Sequence, residues 1–277
     1  MAAAPPRPPV PTVRPESIGA GGRSCHGKAR PGTLRAGLLM RMRRFGAADG
    51  GLAAIEFALI MPTLLFILFA GAQLIAYVDA TRKVELVAHS ISQMISQATP
   101  PKGETVAQVN ATDLHFSYDA TLVLFPYVMK DAKRRKVAWW ENISINYASI
   151  RFTAKNAACK SNTDTSADLS TCYDANVVWT TTGTAQPGGN NYRSCDTPQL
   201  PAADDATPSR TTLPRSSYGP GSLVAIDVVF DFQPTFGSGL VPAVRIARSA
   251  YVQPRYASLV SFDTTNNDGI ATKCTGY

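Results

Sequence analysis

GGLAAIEFALIMPTLLFILFAGAQLIAYV, residues 50–78, carries a single charge, Glu56, in a run that is otherwise apolar until Asp79. At ~1.5 Å per residue, the 27 residues from Leu52 to Val78 are long enough to cross a bilayer with some tilt. A cleaved secretory signal has an apolar core of about 7–15 residues, shorter than this run. Arg41, Arg43 and Arg44 precede the run and Asp79 follows it. The positive-inside rule therefore predicts a cytoplasmic N-terminal side, with everything after residue 79 outside. A carboxylate at the centre of such a span costs roughly 2.5–3.5 kcal/mol and less toward its ends, so Glu56 calls for a use.

The charge balance confines the basic excess to the leader. Residues 1–51 hold nine Lys and Arg against two acids, and residues 52–277 hold 18 of each, so the leader carries the whole net charge of +7. The rest lacks the basic balance of a nucleic-acid-binding domain. Residues 1–36 are rich in Pro, Gly, Ala and Arg and show no apolar periodicity. Such a segment cannot bury enough surface to offset the entropy of ordering. Residues 1–39 are read as disordered or as an over-extended start, with Met40 or Met42 opening a compact leader, MRMRRFGAADGG.

After the span, Val84, Val87, Ile91, Met94 and Ile95 recur at helical spacing, and Thr99-Pro100-Pro101 stops the pattern. Residues 52–98 are thus predicted to form a transmembrane helix that continues as an amphipathic one. Residues 99–277 read as an α+β domain. Leu114, Tyr118, Leu122, Phe125 and Met129 suit a short helix that Pro126 bends or ends. ENISINYASIRFT alternates as a strand, with Ile143, Ile145 and Tyr147 on one face and Ile150 and Phe152 on the other, which calls for a bulge near Ala148-Ser149. Residues 156–221, dominated by Thr, Ser, Asn, Asp, Gly and Pro, read as a long loop region. SLVAIDVVFDFQP is the clearest strand, with Val224, Ile226, Val228, Phe230 and Phe232 inward and Asp227 and Asp231 outward. Residues 244–262 supply one or two more strands.

Of five cysteines, Cys159, Cys172, Cys195 and Cys274 follow the span, without the short spacing of a zinc site. Outside the cytoplasm they read as two disulfides. Three connectivities are open, and Cys159–Cys172 with Cys195–Cys274 is favoured because the first closes a short polar loop; buried free thiols are the alternative. His26, His89 and His115 are scattered, and no nucleophile, metal or phosphate-binding motif is present. Neither cofactor nor metal is expected, and the chain is not read as an enzyme. Asn110 and Asn142 begin chance glycosylation sequons. KDAKRRKVAWW, residues 130–140, suits either an outer-leaflet contact or, more plainly, a solvated loop charge run with one core tryptophan.

Basic leader, Gly51, then LAAIEFALIMPTLLFILF closely resembles the N-terminus of TadE-like pilus-assembly proteins, pseudopilin-like components of the Tad (tight adherence) system. The resemblance runs from Arg43 to about Val78. Beyond the helix it is limited to a β-rich outer region and a strand pair ending in Pro254-Arg255. It implies a prepilin-peptidase cut between Gly51 and Leu52, which makes Glu56 the fifth mature residue and Phe57 the sixth. The freed α-amine of a staggered neighbour could then pair with Glu56 and select one register between subunits; the plainer alternative is a carboxylate near the cytoplasmic interface that reaches headgroup water. Pro62 would kink the span, and Gly71 between Ala70 and Ala72 would allow close helix contact. The partners implied are a prepilin peptidase, other Tad pseudopilins, the inner-membrane platform and the major pilin. The Asp-x-Ser-x-Ser metal motif of TadG-like relatives is absent, which favours the TadE-like side. The rival readings are a membrane-anchored periplasmic binding module that enters no fibre, and a tethered enzyme with its site in the 156–221 loops.

Overall fold

The computed structural model describes residues 52–161, 168–182, 193–236 and 242–277. The expected leader, Gly51 and Cys25 lie outside these residues, as do parts of the 156–221 segment. The chain divides into two units, Met1–Pro62 and Thr63–Tyr277. The first contributes the opening turns of helix α1, and the second is a mixed helix and sheet domain.

Helix α1 spans Leu52–Ser96 as one element of 45 residues. Strand β1 (Val106–Val109), helices α2 (Ala111–Leu124), α3 (Tyr127–Arg135) and α4 (Trp139–Asn142), and strand β2 (Ile143–Ala154) follow. Then come helix α5 (Ala157–Ser161) and strands β3 (Tyr173–Thr181), β4 (Leu200–Ala202), β5 (Thr212–Pro214) and β6 (Ser222–Phe232). Strands β7 (Val244–Val252), β8 (Leu259–Phe262) and β9 (Ala271–Lys273) complete the chain. The main sheet has five antiparallel strands in the order β7-β6-β2-β3-β9, while β1 pairs with β8 and β4 with β5 in separate parallel ladders.

One face of the sheet receives α1. Val84, Val87, Ile91 and Ile95 are buried with Ile143, Ile145, Tyr147 and the inward row of β6. Each such side chain contributes about 1.5–3 kcal/mol on burial, enough to dock the helix firmly. Met94, expected in this stripe, is instead 40% exposed, because Ile91 and Ile95 already fill the face that meets the sheet. Pro126 ends α2 and restarts the chain as α3, so Val128 is buried and Met129, expected in the core, faces outward. Asn110 caps α2 through Asp113, and Asn142 donates to Asp131.

The switch of faces in β2 is observed. Its register with β3 shifts between Ser149 and Ile150, and Ile150 and Phe152 pack on the opposite side of the sheet. That second face is covered by the segment expected to be a long loop. The described part of 156–221 contains β3, a paired strand of the sheet, together with the short β4 and β5. The apolar run of β3, Val177-Val178-Trp179, is too short and too flanked by polar residues to stand out from composition. Leu169, Leu213 and Tyr218 from this segment complete the second core. Disulfides Cys159–Cys172 and Cys195–Cys274 pin it down.

Asp227 corrects another expectation. It points away from α1, as the alternation of β6 requires, yet it is 2% exposed. Arg193 grips it bidentately, Nε to Oδ2 at 2.7 Å and Nη2 to Oδ1 at 3.0 Å. The guanidinium also donates to Gln199 Oε1 at 2.5 Å, the Thr212 carbonyl at 2.9 Å and the Tyr251 hydroxyl at 3.2 Å. All five donors are used, which is what makes a buried ion pair tolerable. Burial is the largest single influence and opposes the Arg193 charge, but the charge and hydrogen bonds of Asp227 together with Tyr251 outweigh it and raise the guanidinium pKa above its ordinary value.

Asp227→Asn leaves the Arg193 cation buried without its counter-charge and is expected to destabilise the domain by about 3–5 kcal/mol. The paired change Arg193→Met with Asp227→Leu is expected to lose less. Urea midpoints of the full chain in detergent measure both, and equal losses would contradict this account.

Candidate functional site

The first half of α1 carries a run of exposed apolar side chains. Leu59, Phe66, Leu68 and Ile75 are each more than 60% exposed, and large apolar side chains stand open around the helix from Ile55 to Ile75. An apolar surface of this extent belongs in lipid or against other helices. At ~1.5 Å per residue these residues rise about 31 Å, close to the hydrocarbon thickness of a bilayer. Among the described residues α1 is the one helix long and apolar enough to cross a membrane.

Glu56 lies in the second turn, exposed, with no hydrogen-bond or ion-pair partner among the described residues. Phe57 beside it is also exposed, and Leu52 is the first helical residue. Pro62 is inside the helix, so the Ala58 carbonyl lacks its usual N–H donor four residues on. No heavy atom lies within 4 Å of the position a Cβ would take on Gly71. Ala70, Gly71 and Ala72 are all exposed, and no described part of the sheet domain stands against Gly71.

The folded domain takes hold of α1 from Phe69 onward. Phe69 stacks on Phe236 at 4.9 Å, Gln73 Oε1 accepts from the Thr235 N–H at 3.0 Å, and Tyr77 meets Phe232 edge-on at 5.7 Å. Gln73 is the lone polar side chain among its apolar neighbours, a signal that sequence reasoning passed over. At the far end Arg255 closes the helix. Its backbone N–H donates to the Ser96 carbonyl at 3.0 Å and its guanidinium to Gln93 Oε1 at 2.5 Å. A cation there also suits the negative end of the helix dipole. Nothing in its local sequence marks Arg255 beyond its place after Pro254.

The other candidates are placed apart from this helix. All four outer cysteines are spent in disulfides. His89 is exposed on α1. His115 Nε2 lies 2.7 Å from Asp268 Oδ2, and this hydrogen bond holds the Asp268 carboxyl below the usual carboxylate range. Both groups are exposed, and the pair ties α2 to the loop after β8. No group of three or more His, Cys, Asp or Glu among the described residues could hold a metal ion.

Residues 51–91 match the family model for TadE-like proteins. The match begins at Gly51 and lies almost entirely within α1, covering Glu56, Pro62 and Gly71 and stopping short of the sheet domain. Comparison with curated proteins and with solved structures gives no match.

Arg255→Ala removes the bond to Gln93 and the charge beside the helix end while keeping the backbone bond to Ser96. A local loss of about 1 kcal/mol is expected. It should be read as faster amide exchange at residues 92–98, with β2 and β6 unaffected.

Proposed function

We propose that this chain is a pseudopilin-like structural component of a Tad-type pilus or secretion apparatus. Helix α1 anchors it in the inner membrane, with its N-terminal end cytoplasmic and the sheet domain in the periplasm. The observation that carries this reading is Glu56, a carboxylate without a partner among the described residues, near the start of a helix whose first half leaves its large apolar side chains largely open. It sits inside the segment that matches TadE-like proteins.

A cut between Gly51 and Leu52 by a prepilin peptidase would place an α-amine four residues before Glu56. When parallel copies are staggered, that amine meets the carboxylate of a neighbour. Two groups that are each costly in hydrocarbon then satisfy one another, and only one register does this. Gly71 and its flanking alanines offer the close approach that parallel helices require. The chain acts through such contacts with other Tad pseudopilins, the platform and the major pilin, and not as an enzyme.

The N-terminal sequence of the protein from native membranes is expected to start at Leu52. Glu56→Gln and Glu56→Ala are expected to insert normally but to enter the apparatus on the order of a hundredfold less, the factor set by ~3 kcal/mol. An intact leader together with unchanged incorporation would instead describe an anchored periplasmic binding module.

A further inference from the structure

We infer that the membrane-proximal edge of the sheet domain, formed by α3 and the end of β6, lies on the anionic headgroups of the outer leaflet. This rests on the anchoring of α1 proposed above and on none of the assembly steps.

The edge is fixed to the span by contact. Phe69 and Gln73 belong to the last turns of the open apolar stretch, and they bind Phe236 and Thr235. The end of β6 is therefore held at the depth where the span leaves the hydrocarbon. Phe236 is 53% exposed even with Phe69 against it, an apolar ring left open where lipid begins. Aromatic rings are favoured at that interface.

The cations are held to the same loop. Arg134 donates to the Pro234 carbonyl at 2.8 Å and the Gln233 carbonyl at 2.5 Å, and Arg135 donates to the Asp231 carbonyl at 3.0 Å. These bonds set α3 beside Thr235 and hence beside Gln73. On α3, Lys130, Lys133 and Arg134 share one helical face at i, i+3 and i+4, all exposed, and Lys136 follows at the cap. Residues 127–142 contain five basic side chains and two acids. Of the acids, Asp131 is buried and paired with Arg134, which leaves Glu141 exposed. On α1 the exposed Asp79 and Glu85 stand farther from the span, one to three turns beyond Gln73, with the exposed Arg82 between them. Phe236 is an aromatic that accompanies the cations. Of the two tryptophans in the sequence-based candidate KDAKRRKVAWW, Trp139 packs on Tyr118 at 5.0 Å and Trp140 is 40% exposed. The charge run is therefore helical rather than a solvated loop, and its arginines fasten it to the tip nearest the membrane.

Near an anionic surface each lysine is worth roughly fivefold in occupancy, and the effect is screened by salt. The full chain in nanodiscs of phosphatidylcholine, with or without phosphatidylglycerol, provides the test. Amide exchange in residues 127–136 is expected to slow when the anionic lipid is present. The slowing should vanish in the triple variant Lys130→Ser, Lys133→Ser, Lys136→Ser, which keeps the structural arginines. Phe236→Trp is expected to gain fluorescence that brominated lipid quenches, and Leu65→Trp reports on the span itself. Quenching at residue 65 with none at 236, or exchange that ignores lipid charge, would overturn the headgroup contact alone. An unquenched residue 65 would overturn the anchoring reading and this inference with it.

Discussion

Burial of one stripe of α1 against the sheet is the interaction on which the rest of the molecule depends. The same helix has two surfaces with opposite requirements. From Ala80 to Ile95 a single face is removed from water by the inward rows of β2 and β6. From Ile55 to Ile75 large apolar side chains stand open, with Phe69 and Gln73 touching the described part of the sheet domain. Phe69, Gln73 and Arg255 then hold the two edges of the docked stretch.

The opposite face of the sheet is closed by less regular means. Short strands, single turns and connecting segments cover it, and these bring few apolar side chains per residue. Two disulfides and the five-bonded Arg193 supply what a second helix would otherwise have supplied. The Cys195–Cys274 bridge and the Arg193–Asp227 pair lie two residues apart in sequence at one end. The segment entering from residue 193 is thus fastened covalently to the C-terminus and electrostatically to β6. A covalent staple suits a compartment where thiols are oxidised.

How much of this was legible follows from the period of each pattern. The exposed and buried halves of α1, the face switch in β2 and the inward row of β6 all stand out, because each repeats a spacing that only one conformation produces. Asp227 was misread as solvent-facing for a physical reason. Alternation says which side of a strand a residue faces, and it is silent on whether water or another layer waits there. β3 was hidden because its apolar residues are few and its neighbours are Thr, Asn and Asp, the composition of a loop. Arg193 gave no signal at all, since a buried arginine looks like any other until its partner's position is known. Of the candidate site, Glu56 was visible as a charge out of place, whereas the contacts between the sheet domain and α1 join residues far apart in sequence, as in Gln73 with Thr235, 162 positions apart.

The position of Glu56 sharpens what its charge can do. It falls one residue inside the stretch whose length matches a hydrocarbon core, so a lone copy resident in a bilayer keeps the carboxylate at the edge, within reach of headgroup water. There the cost is small. The cost rises only when the helix is drawn outward, because the edge must then pass through hydrocarbon or into a bundle of helices. A partner cation is therefore worth most during extraction and least at rest. An acid so placed does not penalise waiting in the membrane, but it penalises leaving it unpaired. Under the proposed assembly, that asymmetry would let Glu56 select a register between copies.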